Sequence, residues 1–325
     1  NMDGFFSECK NIKDDHLSSL NTQNIVKMNY MFQGSDLQDL DLSLLNTNKV
    51  KDMTGFFANC KNITNEHLSS LNSKYVINMS ELFEKCDLTN INVSLLYTKK
   101  VKYMNSMFSG TILTNTDFSS FDTNQVIDME LMFSFCQSMT DINFSHFNTH
   151  NVIKMNKMFY DCNLENIDIS SFDVKNLLDI KQMFYNSDKL KCITLPPFYC
   201  QNKIEMELLF GNCNSLRLIK MWRTPNENYN RLQIQKRNLY NVKTIFLNDE
   251  KPNFENDNIF KDNNNLNQNN FNVNPFNIPN IQPCINNDIN NMYMNNDNIN
   301  ILQSNNNFFN NNLPPLINMN NFNQF

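Results

Sequence analysis

Glycine is scarce in this chain: there are five in 325 residues, Gly4, Gly34, Gly55, Gly110 and Gly211. They never cluster, which excludes a phosphate-cradling loop. Alanine occurs once, at Ala58, and tryptophan once, at Trp222. No apolar window of about 18 residues runs uninterrupted, so no segment reads as a membrane-spanning helix. Positive charge is not in excess, because 27 Lys and Arg stand against 33 Asp and Glu, a formal net charge of −6. With no basic arm or stripe along the sequence, that balance argues against a protein that grips nucleic acid by its phosphates. Neither GxSxG nor HExxH occurs, and His16, His67, His146 and His150 follow no metal-ligand spacing. Nothing here supports catalysis, a cofactor or a metal, and the reading is of a non-enzyme. The chain opens on Asn1 in mid-repeat, which suggests a fragment or a processed chain.

What the chain does have is repetition. Phe6, Phe32, Phe57, Phe83, Phe108, Phe133, Phe159, Phe184 and Phe210 mark nine copies of one unit at steps of 25 or 26 residues, inside the range of solenoid repeats. The extra residue always falls after the Cys-type position, as Cys60 to Ile63 against Cys86 to Leu88 shows, and so marks a loop. In the first half of a unit, Met53, Phe56, Phe57 and Cys60 sit at i, i+3, i+4 and i+7. This predicts a short helix with those residues on its buried face and Val50 extending it. Asn29, Thr54, Ser80, Asn105 and Asn156 would be its N-caps. The second half alternates with period two, as in Leu40 and Leu42, Ile91 and Val93, or Ile167 and Ile169, and predicts a short strand. Strands of successive units, stacked at about 4.8 Å, would form one parallel sheet over a continuous core of Met, Phe and Leu columns. The expected fold is therefore an α/β repeat solenoid, with a parallel sheet on one face and short helices or turns on the other.

The unit VxxMxxMFxxCxxLxxIxLSxFNT resembles the repeat of BspA-type leucine-rich-repeat surface proteins and the related mycoplasma lipoprotein-type repeats. Val126, Met129, Met132, Phe133, Cys136, Met139, Ile142, Phe144, Ser145, Phe147, Asn148 and Thr149 carry the resemblance in one copy. It extends from Asn1 to about Trp222. It implies a leucine-rich-repeat solenoid, exposure at the cell surface or secretion, and adhesion or binding to a protein partner, including host or extracellular-matrix proteins. The copy near Asn176 departs from the pattern, with Ile180 for Met, Ser187 for Cys, and Pro196 and Pro197 at the strand, so it should lie near the end of the array.

The expected organisation is a solenoid over 1–222, a C-terminal cap over 223–251 and a disordered tail over 252–325. In that tail 31 of 74 residues are Asn, a low-complexity composition that suits a linker, a self-associating segment or compositional padding alike. An intracellular, cytoplasmic scaffold assembled through the tail is thus the alternative to a surface adhesin.

Six cysteines, Cys9, Cys60, Cys86, Cys136, Cys162 and Cys213, occupy one repeat position where Ser35, Thr111 and Ser187 also stand, so the site asks for a small buried side chain. Cys60 with Cys86, or Cys136 with Cys162, would be near enough to bridge in an oxidising compartment. His16 and His67 are expected to face outward. Between the buried strand positions runs a polar column of His16, Asp41, His67, Asn92, Asp117, Asn143, Asp168, Thr194 and Lys220, with Asp39, Asn65, Asn90, Asn115, Asp141 and Asn166 in the column beside it. On one sheet face these form an acidic strip, and Asp39, Asp41, His67, Asn92, Asp117, Asp141, Asn143 and Asp168 are the candidate partner-binding residues. The same residues would serve equally to solvate a sheet. Asn62, Asn78, Asn92 and Asn143 lie in glycosylation sequons, which an Asn-rich chain also produces by chance.

Overall fold

The computed structural model describes residues 1–247 apart from Asn115, Asp141, Gln201, Pro225, Arg237, Asn238, Tyr240 and Asn241. The tail expected over 252–325 lies outside the described residues. Successive units lie in parallel, one layer upon the next. The residue five before each marker Phe bridges its equivalent in the next layer from Lys27 through Asp52, Asn78, Tyr103, Asp128, Lys154 and Asp179 to Glu205.

The helix expected at the Met–Phe pair does not form. In the unit around Phe57, the N–H groups of Met53, Gly55, Phe57 and Asn59 donate to the carbonyls of Asn78, Ser80, Leu82 and Glu84 in the next layer, at 2.6–3.1 Å. The alternate N–H groups of Phe56, Ala58 and Cys60 close tight turns onto Met53, Gly55 and Phe57. An α-helix would keep all these bonds to itself, whereas consecutive turns release every second donor to the neighbouring layer. The turns place a left-handed residue two before and two after each marker Phe, from Gly4 and Glu8 to Leu208 and Asn212. Only four of these eighteen positions are glycine, although the left-handed region costs other residues roughly 1–2 kcal/mol. At each of them in the unit around Phe57 the N–H is held by the next layer. Of the residues expected as N-caps, Thr54 and Ser80 serve turns instead, giving their N–H and hydroxyl groups to Asp52 Oδ1 and Asn78 Oδ1 respectively, while Asn29, Asn105 and Asn156 bond to Asp52, Ser80 and Glu130 of a neighbouring layer.

The apolar columns point inward as expected. Marker phenylalanines of adjacent layers stack at 5.5–5.9 Å with interplanar angles of 17° or less at seven contacts. Val, Met and Phe columns are fully buried around them.

The expected strand appears only late in the chain. Strands β1 (Asn166–Asp168), β2 (Cys192–Thr194), β3 (Leu218–Met221) and β4 (Lys243–Phe246) form a parallel sheet in that order, with Ile167, Ile193 and Ile219 in register. In the first four layers the same segment coils. The 26-residue units carry α-helical turns, α1 (Asp14–Ser18) and α2 (Asn65–Ser70), while the 25-residue units carry 3-10 turns at Leu42–Leu44 and Val93–Leu95. There the extra residue decides which coil forms. Beyond Trp222, α3 (Glu227–Lys236) buries Leu232 and leads to β4, which adds a strand beside β3, and the Arg223 guanidinium lies 4.2 Å from the Phe246 ring centroid.

Gly55 has a specific reason to be glycine. Its φ is +58°, and a Cβ there would overlap the ring of Tyr30 from the preceding layer. That ring crosses Gly55 so that the Tyr30 hydroxyl donates to Glu81 Oε2 at 2.9 Å, two layers on. Gly55→Ala is expected to cost about 2–4 kcal/mol through overlap and left-handed strain, but only about 1 kcal/mol in a Tyr30→Ala background. Urea denaturation of the four proteins of this cycle checks it, and additive costs would show that the ring does not cross.

Candidate functional site

The polar column forms a sheet face only at its C-terminal end. Asp168, Thr194 and Lys220 lie in register in β1, β2 and β3, whereas Asp41 and Asn92 begin the two 3-10 turns, and His16 and His67 sit within α1 and α2. Asp39 and Asn90 are left-handed turn residues at φ 61° and 65°, and Asp141 lies outside the described residues. One local bond recurs down the column, inside and outside the sheet. The side-chain oxygens of Asp41, Asn92, Asp117, Asn143 and Asp168 each accept the N–H two residues on, from Ser43, Ser94, Ser119, Ser145 and Ser170, at 2.8–3.0 Å. A short acceptor followed by Ser makes a turn of this kind, and Asp and Asn perform it alike. Hydrogen bonds from Ser43 and Ser119 hold the Asp41 and Asp117 carboxyls below the usual carboxylate range. All five residues, and Asp39, are exposed.

His67 is not on the surface. It is 4 % exposed, its Nδ1 accepts the Thr64 N–H at 3.0 Å, and its Nε2 therefore donates to the Leu40 carbonyl at 3.0 Å. Burial, the larger influence, lowers its pKa, and the residue acts as a neutral clasp between two layers. His16 remains exposed with its Nδ1 accepting the Lys13 N–H. The Asn78 sequon is likewise buried.

The cysteine column needs a donor as well as small size. Ser35, Cys60, Cys86, Thr111, Cys136, Cys162, Ser187 and Cys213 each donate to a marker-Phe carbonyl of the preceding layer, from Phe6 to Phe184, at 2.6–3.0 Å. A thiol or hydroxyl satisfies that carbonyl and an alanine would not. Burial pushes the Cys86, Cys136 and Cys213 thiols up to about 12, which keeps the proton in place. Cys60, Cys86, Cys136 and Cys162 are free thiols.

A second surface was not legible as a run of charge. Lys49, Lys51, Lys74, Lys99, Lys100 and Lys102 lie along one edge of three successive layers, all exposed except the half-buried Lys102. The backbone bonds from Ile77 N–H to the Lys51 carbonyl and from Lys102 N–H to the Ile77 carbonyl, both 2.8 Å, fix this stacking. The Lys100 ammonium sits 4.5 Å from the Tyr75 ring centroid and that of Lys74 5.8 Å. Beside them opens a shallow cleft of about 370 Å³ lined by Ser69, Ser70, Asn72, Lys74, Leu95 and Tyr97. The signal is lysine recurring six, eight and nine residues before the marker Phe in three successive units, too short in any one unit to read as a basic stripe. Among the described residues, no group of three or more His, Cys, Asp or Glu could hold a metal ion, and no helix is long and apolar enough to cross a membrane.

These features define a repeat protein of parallel-stacked layers with short helices and a four-stranded parallel sheet. A family model described as Mycoplasma protein of unknown function, DUF285, matches residues 1–121 and 77–195. Together these matches span 195 of the 325 residues, and the chain belongs to that family. No curated protein and no solved structure matches it.

Proposed function

We propose that the chain is a leucine-rich-repeat-like solenoid of the BspA type that works as a non-enzymatic protein-binding or adhesion module at the cell surface. The observation that carries this reading is the unbroken ladder from Lys27 to Glu205, because stacking layers extends a surface rather than enclosing a pocket. The exposed column of Asp41, Asn92, Asp117, Asn143 and Asp168 runs along that surface and offers a partner protein a row of carboxylates and amides. Because Asn already makes the local turn at two of these positions, Asp41→Asn, Asp117→Asn and Asp168→Asn together remove three charges and keep the turns. Binding of the purified chain to wells coated with matrix proteins is expected to weaken by up to about tenfold, with an unchanged melting temperature. Unaltered binding would remove the column from the interface. Digestion of intact source cells with external protease, followed by antibody detection of the repeats, tests the location. Loss of signal supports an adhesin, and protection until lysis favours an intracellular scaffold.

A further inference from the structure

The lysine edge carries charge of one sign on a chain whose net charge is −6. None of Lys49, Lys51, Lys74, Lys99, Lys100 and Lys102 makes an ion pair among the described residues; Lys49 Nζ donates instead to the neutral Asn24 Oδ1 at 2.7 Å. Carboxylates in neighbouring columns are engaged elsewhere. Asp52 is buried against Thr54, Asp128 accepts the Glu130 N–H, and Asp122 accepts the Asn124 N–H. These ammonium groups thus have no ion-pair partner among the described residues, and the Tyr75 ring draws two of them together across layers by cation–π attraction. Repulsion among so many like charges is a cost that an anionic ligand would relieve.

The adjoining cleft indicates what kind of anion fits. Its lining includes the hydroxyls of Ser69 and Ser70, which donate to the Glu66 carbonyl, Asn72, whose amide donates to Asn48 Oδ1 and accepts the Lys74 N–H, the Tyr97 ring, 42 % exposed, and Leu95, 39 % exposed. The two serine oxygens keep lone pairs that accept from sugar hydroxyls, an exposed tyrosine offers a flat apolar face with a polar tip, and the flanking lysines neutralise acid groups. We infer that this edge binds an acidic polysaccharide, sulfated or rich in uronic acid, with a sugar ring against Tyr97 and its acid groups on Lys74, Lys99 and Lys100. A nucleic acid is the less fitting polyanion, since its dense line of phosphates would extend past six lysines onto a protein of net negative charge.

The test uses the full chain on a heparin-coated sensor, with neutral dextran and a single-stranded DNA of matched charge as competitors. Heparin is expected to bind and dextran not to compete. The combined Lys74→Gln, Lys99→Gln and Lys100→Gln variant should weaken binding about tenfold and flatten its salt dependence. Tyr97→Ala should weaken it several-fold with the salt slope unchanged. The triple Asp-to-Asn variant of the polar column should bind heparin as the parent does, which separates this site from the protein-binding surface proposed above. If the triple lysine variant melts at a lower temperature, Lys99→Glu alone, on a side chain that touches no ring, must still reduce binding. Parent-like binding by the lysine variants overturns the proposal. So does displacement by DNA as effective as by free heparin combined with no effect of Tyr97→Ala, for the edge would then be an unselective cation exchanger.

Discussion

Phe133→Ala is expected to destabilise the stack by about 3–5 kcal/mol, the range for removing a large aromatic side chain from a close-packed core. Phe133 is fully buried, with Phe108 and Phe159 stacked on its two faces at 5.6 and 5.9 Å. Phe118 and Phe144 meet it edge-on at 5.5 and 5.6 Å, and Phe147 lies tilted at 6.3 Å. Its rings of contact come from its own layer and the layers on both sides, and no collapse of one loop could fill the void. Phe135, two residues on, is 47 % exposed and touches only the Tyr160 ring among aromatics; Phe135→Ala should cost less than about 1 kcal/mol. Urea unfolding followed by circular dichroism compares the two. Equal effects would mean that the stacked column does not carry the core.

Asp128→Asn is expected to do the opposite and stabilise the protein at neutral pH. Asp128 is buried, and that burial lifts its pKa to about 6, with the hydrogen bond from the Glu130 N–H and then Lys154 opposing the rise and the Glu130 and Asp179 carboxylates adding to it. Its unfolded value is about 3.9. The folded state therefore holds the proton more tightly, and stability falls as pH rises from about 4 to about 6, because the unfolded chain releases the proton first. Above pH 6 the full penalty, about 3 kcal/mol, is present. Asparagine keeps the turn, as Asn78 shows at the equivalent position by accepting the Ser80 N–H at 2.9 Å. The gain in melting temperature should thus be large at pH 7.5 and vanish near pH 4. A loss at both values would show that the carboxylate is a needed partner of Lys154 instead.

The period, the inward columns and the parallel stacking were legible because burial repeats at fixed offsets from the marker Phe. The backbone that delivers them was not. Spacing of i, i+3, i+4 and i+7 describes which side chains share a face, and both a helix and a run of turns can satisfy it. Met53, Phe56, Phe57 and Cys60 are brought together by turns whose left-handed positions hold Tyr, Glu, Lys or Leu in other layers as often as Gly, so composition gives no warning. Likewise, alternation at Leu40 and Leu42 reads as a strand, but Leu42–Leu44 closes a 3-10 turn behind Asp41, whereas the same alternation at Ile167 and Ile169 runs through β1. His67 was read as a surface residue beside Glu66, and only the layer below supplies the Leu40 carbonyl that draws it inward. The lysine edge is hidden for a related reason, since its short clusters, Lys49 with Lys51, Lys74, and Lys99 with Lys100 and Lys102, come together only when their layers stack.

The ladder from layer to layer has a genetic consequence. Each layer gives its neighbour the same row of donors and receives the same row of acceptors, whichever outward residues it carries, and the one-residue difference in length is absorbed in a single loop. Unequal recombination between such similar copies could delete or duplicate a whole unit and leave the hydrogen bonds, the phenylalanine column and the Cys, Ser or Thr donors in register. Reach and surface chemistry would change together in steps of one layer, except where a side chain such as Tyr30 spans two of them and ties those units to a fixed order.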